Sequence, residues 1–162
     1  MANHPRTGIG YDVHPLTEGR PLILGGVRVE HSLGLAGHSD ADVLTHAIID
    51  GLLGAAGLND IGTHFPDTEA RWKDANSLEL LVAAVELVGN AGYLAWNVDA
   101  TVVIEQPKLA EHRAEMRANL ATALSVPTDR VNVKATRGEK LGFVGRSEGA
   151  AAMAVVTVIE KG

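Results

Sequence analysis

Asp12 and His14 stand two positions apart in a short apolar segment. In a strand, side chains at i and i+2 point to one face, so this spacing sets a carboxylate and an imidazole side by side. Both are ligand types that zinc accepts. A third ligand has to come from another segment, and GHSDADVLTHAIIDGLLGAAG offers it. There His38, Asp42, His46 and Asp50 recur every four residues, and those inside a helix share a face; His38 is expected just ahead of the cap. Asp12, His14 and one helix histidine form a two-histidine, one-carboxylate set, which leaves a coordination position free for water or substrate. The set suits iron as well. A polar stripe on an amphipathic helix is equally what a solvated face with weak charge pairs looks like, so the residues alone leave a structural reading open beside the metal. Asp42 and Asp50, one turn either side of His46, can accept hydrogen bonds from the ligands or serve as caps and solvated charges.

These side chains need elements to position them. Ser39 followed by Asp42 resembles a capping box that starts a helix; Leu44, Ala47, Ile48, Leu52 and Ala55 then recur at helical spacing, and Gly57 marks the stop. Residues 8–13 and 22–29, separated by Pro15, Gly19 and Pro21, read as two strands, a hairpin. Gly25-Gly26 has neither the dinucleotide nor the Walker spacing and reads as a tight turn or a strand bulge. Residues 59–75 read as a loop, 77–89 as a second helix, 97–105 as a strand, and a third helix is expected from near Pro107 through Met116, Leu120 and Leu124. A strand at 131–135 follows, and residues 150–159 complete the chain as one strand or as a helix turn and a strand. The order predicts an α+β fold, a mixed β-sheet with helices packed on one face. A single domain over 1–162 is expected, with 1–7 as a flexible N-terminal extension.

Composition narrows the function. The chain has 162 residues, 46% hydrophobic and 21% charged, with a net charge of −6, an ordinary globular balance. An acidic chain is a poor general nucleic-acid binder, although a local cationic cleft for phosphates stays open. The absence of cysteine rules out disulfides, thiolate zinc sites and cysteine nucleophiles, and permits a reducing, cytoplasmic setting. No secretory leader and no membrane span is expected. His4, His31, His64 and His112 read as surface residues, and Trp72 and Trp96 as packing or interface residues.

Taken together, GYDVHPL, LILGGVRV, GHSDADVLTHAIIDGLLGAAGLNDIGTHFPDT, VIEQPKL, VNVKAT and EKLGFVGRSEG resemble the methylerythritol cyclodiphosphate synthase family, nearly end to end and in the same order. The resemblance implies a stand-alone synthase of the non-mevalonate isoprenoid pathway. It would cyclise 4-diphosphocytidyl-2-C-methyl-D-erythritol 2-phosphate to 2-C-methyl-D-erythritol 2,4-cyclodiphosphate with release of CMP. It implies Asp12, His14 and His46 as zinc ligands, and His38 and Ser39 at the phosphate end of the substrate, His38 also stabilising the transition state. It implies Asp60, Ile61, Gly62, Phe65, Pro66, Asp67, Thr68 and Glu69 around the erythritol phosphate. Ile104, Glu105, Gln106, Pro107, Lys108, Leu109, Ala110 and Thr136 match the nucleotide site, Glu139 the holder of a second metal, magnesium or manganese, and Phe143 and Arg146 further substrate contacts. The family resemblance also implies a homotrimer with active sites between subunits. The nucleophile would be the substrate's own phosphate oxygen, which accounts for the lack of a Ser-His-Asp pattern.

One stretch departs from the family. KATRGE stands where KATTTE is common, so Arg137 and Gly138 replace two threonines. Arg137 can bond phosphate with charge assistance, or point away and leave only its backbone N–H in place; it is carried as a candidate catalytic residue on those terms. Two other readings compete. One is a metal-dependent phosphohydrolase using the same three ligands. The other is a non-catalytic trimer binding an isoprenoid diphosphate in a central apolar cavity.

Overall fold

The computed structural model describes residues 4–162 of the chain. Its centre is a five-stranded mixed sheet in the order β4-β1-β7-β5-β6. The strands are β1 (Pro5–Thr17), β4 (Gly34–Leu35), β5 (Tyr93–Val103), β6 (Val131–Thr136) and β7 (Gly149–Glu160). Neighbours run antiparallel except β5 and β6, which are parallel. A separate two-stranded hairpin joins β2 (Leu22–Leu24) to β3 (Val27–Val29). Helices α1 (Val43–Ala56), α3 (Ser77–Asn90) and α4 (Arg113–Leu124) are the long ones; α2 (Ile61–His64) and α5 (Gly142–Gly145) are single turns.

The period-2 alternation of β1 decides which face the helices cover. Gly8 and Gly10 are buried while Ile9, Tyr11 and Val13 are exposed. A Cβ at Gly8 or Gly10 would collide with the backbone oxygens of Gly51 and Ala47 on α1, so the glycines let the helix lie directly on the strand. Ala150, Ala152 and Ala154 on β7 are small and fully buried, which keeps the same approach close on the neighbouring strand.

Several expectations shift. β1 begins at Pro5, and residues 5–7 pair with Ile159, Val158 and Thr157, so the extension expected over 1–7 does not hold from Pro5 on; residues 1–3 lie outside the described residues. The first two strands do not form a hairpin with each other. The tight turn at Gly25-Gly26, both at positive φ, instead closes β2 onto β3, and it is a reversal only glycine enters cheaply. Helix α1 is capped by Asp42, whose side chain accepts from Thr45 N; Ser39 lies in the preceding loop. Gly57 does end α1, in the left-handed conformation at φ 75°. The third helix begins at Arg113, well past Pro107. Residues 59–75 are not all loop, since they hold α2 and a 3-10 turn at Ala70–Trp72.

Candidate metal centre and adjoining cleft

Gly10 packing under α1 brings the two halves of the metal set together. Asp12 Oδ2 lies 2.9 Å from His14 Nε2 and 3.1 Å from His46 Nδ1, and the two histidine nitrogens are 3.2 Å apart. Among the described residues these three form a group whose ligand atoms all lie within 4.8 Å of one another.

Their protonation follows from their other partners. His14 Nδ1 is 3.0 Å from the carbonyl of Ala36. A carbonyl only accepts, so Nδ1 carries a proton, and in the neutral ring Nε2 is left with the lone pair. His46 Nε2 faces two serine hydroxyls, Ser77 Oγ at 2.8 Å and Ser39 Oγ at 3.1 Å, while Nδ1 faces Asp12. A carboxylate oxygen and two imidazole nitrogens thus converge within bonding reach of one point. That donor set is unfavourable unless a proton or cation shares it, and Asp/His/His fits a divalent metal. The electrostatics agree. Burial raises Asp12, but bonds from His14 and His46 more than offset it and hold the carboxyl at about 2. Burial pulls His14 down, and the bond to Asp12 outweighs it, leaving the imidazole above 6.5.

A cleft of about 400 Å³ opens over the ligands. His38, Ser39, Ile61, Gly62, Phe65, Pro66 and Asp67 line it, as do Gly37 and Leu80, which the sequence did not single out, and Trp72, read there only as a packing or interface residue. The 60s wall is held by α1 itself, because Ile61 N–H donates to Asp50 Oδ1 at 2.7 Å. Asp50 therefore anchors a loop; burial pushes its pKa up, against that bond. Asp60 spends its carboxylate on capping α2 through Thr63 and does not line the cleft. Phe65 stacks edge-on with Trp72, centroids 5.2 Å apart. His38 Nε2 faces the Glu69 carbonyl at 3.1 Å, which leaves Nδ1 as the ring atom available to a ligand. Glu69 itself pairs with Arg71. Asp42 does not share the polar face expected of it. It is fully buried and accepts from Gly25 N, Gly26 N, Thr45 N and Thr45 Oγ1 at 2.7–3.0 Å, tying the hairpin turn to the start of α1. Burial raises its pKa against the bonds from Thr45 and Gly26.

A second cleft, about 240 Å³, lies beyond the ends of β5 and β6. Ile104, Glu105, Pro107, Lys108, Leu109, Ala110, Thr136 and Arg137 line it, together with Arg113 and Ala135. Arg137 Nη2 reaches Glu105 Oε1 at 3.4 Å, and Gly138 N–H donates to Glu105 Oε2 at 2.9 Å. Glu105 is nearly buried, so it holds the RG turn from below. The two clefts share no lining residue, yet they open at one end of the sheet: Asp12 and Val102 pair with Ala152 from opposite sides. Gln106, Thr68, Glu139, Phe143 and Arg146 line neither cleft. Glu139 sits at φ 51° in the turn after β6, and Arg146 bonds Glu148 at 2.8 Å.

The fold and site define a two-layer α+β protein, helices on one face of a mixed sheet, with a candidate three-residue metal site at the same sheet end as a cationic cleft. The sequence profile of the YgbB family matches residues 5–159. A 2-C-methyl-D-erythritol 2,4-cyclodiphosphate synthase of Salinibacter ruber is 65% identical over 153 residues, 94% of this chain and 98% of the relative. The bifunctional IspDF of Campylobacter jejuni superposes with a TM-score of 0.94 at 45% identity, covering 98% of this chain and 43% of that one. A CDP complex of IspF from Plasmodium falciparum gives 0.85 at 34% identity over 100% of both chains. This chain belongs to the YgbB family.

Proposed function

We propose that this chain converts 4-diphosphocytidyl-2-C-methyl-D-erythritol 2-phosphate to 2-C-methyl-D-erythritol 2,4-cyclodiphosphate and CMP, as a phosphorus–oxygen lyase of isoprenoid biosynthesis. The observation that carries the reading is the convergence of Asp12 Oδ2, His14 Nε2 and His46 Nδ1 at the sheet end where a separate cleft gathers Lys108, Arg113 and Arg137. Full-length likeness to synthases supports it, as does the CDP held by the Plasmodium falciparum relative.

Asp12, His14 and His46 would hold zinc, which when bound polarises a phosphate oxygen as a Lewis acid. On the family resemblance, Glu139 would hold a second ion, magnesium or manganese, which when bound would neutralise diphosphate charge. The other residues act on the substrate directly. Lys108, Arg113 and Arg137 offset the repulsion between two anionic groups that must meet. Ile104, Pro107, Leu109 and Ala110 give the cytosine end an apolar seat, and Gln106 and Thr136 flank it. Ile61, Gly62, Phe65, Pro66 and Asp67 shape the other end, His38 and Ser39 reach its phosphate, and Asp60, Thr68, Glu69, Phe143 and Arg146 are further substrate contacts on the family resemblance. Gripping both ends folds the substrate so that its 2-phosphate oxygen faces its own β-phosphorus, and proximity supplies much of the rate.

The assembly we propose is a homotrimer with each active site shared by two subunits. Ile9 pairs with Val155 and Tyr11 with Met153, and all four are exposed on the helix-free face of the sheet. A contiguous apolar patch of this kind marks a buried interface. Closed about a threefold axis, it would also line an apolar cavity open to an isoprenoid diphosphate.

Phosphorus NMR of the reaction with zinc and magnesium tests the proposal. CMP and a cyclic diphosphate should form with the parent and not with His46→Ala. Inorganic phosphate in their place would mean hydrolysis and would sink the assignment.

A further inference from the structure

His46 offers only one ring nitrogen to the metal position. The other is held by side chains that no metal-binding pattern in the sequence contains. Nε2 lies 2.8 Å from Ser77 Oγ, and Ser77 is fully buried at the start of α3. The Ser77 hydroxyl bonds Asp40 Oδ1. Its backbone N–H donates to Asp40 Oδ2 at 3.1 Å, and Asp42 N–H donates to Oδ1 at 3.2 Å.

The direction of this chain is fixed at its far end. An ionised carboxylate only accepts, so the Ser77 hydroxyl proton belongs to Asp40. Ser77 Oγ then turns a lone pair toward His46, and Nε2 must carry the imidazole proton. Ser39 Oγ cannot impose this. It accepts from Ala41 N–H at 3.2 Å, and its own proton is not committed to a partner other than His46. We infer that Asp40 and Ser77 are positioning residues that lock His46 in the Nε2–H tautomer and so present an unprotonated Nδ1 to the cation; the inference rests on the metal reading above. Ser77 lies 31 positions from His46, on a different helix, so the device couples the seating of α3 to the competence of the metal centre.

Two substitutions act on the chain differently. Ser77→Ala deletes the acceptor. Asp40→Asn brings an NH2 group against the donors that the carboxylate satisfied. With that NH2 at the Oδ1 position, the Ser77 hydroxyl has to accept from it and points its own proton at Nε2, which favours the wrong tautomer.

The test is zinc affinity, measured by competition with a chromophoric chelator on variants shown by circular dichroism to be folded. Both substitutions should weaken zinc by about 10–100-fold, the usual cost of losing a partner behind a metal ligand. Ser77→Thr, which keeps the hydroxyl, should recover most of the loss. Parent-like affinity in Ser77→Ala or Asp40→Asn would overturn the inference while leaving the metal centre standing; a parent that binds no zinc would overturn both. If neither variant folds, nitrogen-15 NMR of the metal-free parent at alkaline pH decides. Nε2–H on His46 supports the lock, and Nδ1–H overturns it.

Discussion

The candidate metal centre and the cationic cleft sit at the same end of one sheet, yet they are built in opposite ways. The metal centre stands on regular elements. Asp12 and His14 take their common face from the period of β1, His46 takes its place from α1, and glycines at 8 and 10 fix the distance between strand and helix. Its polar atoms are constrained on both sides, by Ala36 O behind His14 and by Ser77 behind His46. The cationic cleft stands on irregular chain. Residues 104–112 and the turn after Thr136 form no strand and no long helix, and Arg137 is held there by an ion pair to Glu105 at 3.4 Å. Periodic elements place a site to the precision that metal ligation needs. Loops give the breadth and adjustability that a nucleotide needs.

Substitutions on each side should separate the two. His46→Ala removes one of three ligands and is expected to abolish stoichiometric zinc binding while CMP affinity stays within about twofold, by metal analysis and by calorimetry. Lys108→Ala should do the reverse. The loss of one charge-assisted bond corresponds to about 10–100-fold weaker CMP, with zinc content unchanged. If either variant damages both functions equally, the clefts are not independent in the way their separate walls imply.

A backbone change should spare neither stability nor metal. Gly10→Ala pushes a methyl group into the Ala47 carbonyl, which no rotamer relieves, and overpacking of this kind costs about 1–3 kcal/mol or more. A fall in Tm accompanied by weaker zinc binding is expected, and a silent substitution would contradict the close packing of β1 on α1.

Protons compete with the metal through His14. Burial lowers its pKa, and the Asp12 carboxylate more than restores it, so the metal-free imidazole titrates above 6.5. Its contribution to the metal-free fold is complete below that value and is lost as pH rises through the raised one. Zinc binding has the opposite sign, since the ligand must be neutral. Zinc affinity measured against pH should climb through 6.5 and level off only above the raised pKa; a flat profile would remove His14 from the ligand set. The smallest effect is expected on the loop side. Arg137 is about half exposed where it meets Glu105, and such pairs contribute little, so Arg137→Thr should weaken CMP by only about 2–5-fold. An unchanged kcat in that variant would make Arg137 catalytically neutral.

This contrast also decides what could be read from the sequence. Asp12 with His14, and His46 on its helix, are legible because periods of 2 and 3.6 convert spacing into direction. The same logic misplaced Asp42. Its spacing matches the polar stripe, but as the N-cap it turns inward to hold the Gly25-Gly26 turn, a partner about 16 residues away that periodicity cannot see. Ser39 resembled the cap because its offset from Asp42 imitates a capping box, and the helix starts one residue after Asp42. Ser77 gave no signal, since a serine before an amphipathic run reads as an ordinary helix start. The cationic cleft was legible only through family resemblance. Arg113 was missed because the third helix was expected to begin near Pro107, which would have carried it past the first turn.

Crystals soaked in zinc, with anomalous diffraction collected at the zinc edge, test the central claim most directly. The account predicts one strong peak per chain, about 2.0–2.2 Å from each of Asp12 Oδ2, His14 Nε2 and His46 Nδ1, with Ser77 still bonded to His46 Nε2. A peak bound through His46 Nε2, or none at these three residues in zinc-saturated crystals, would contradict it.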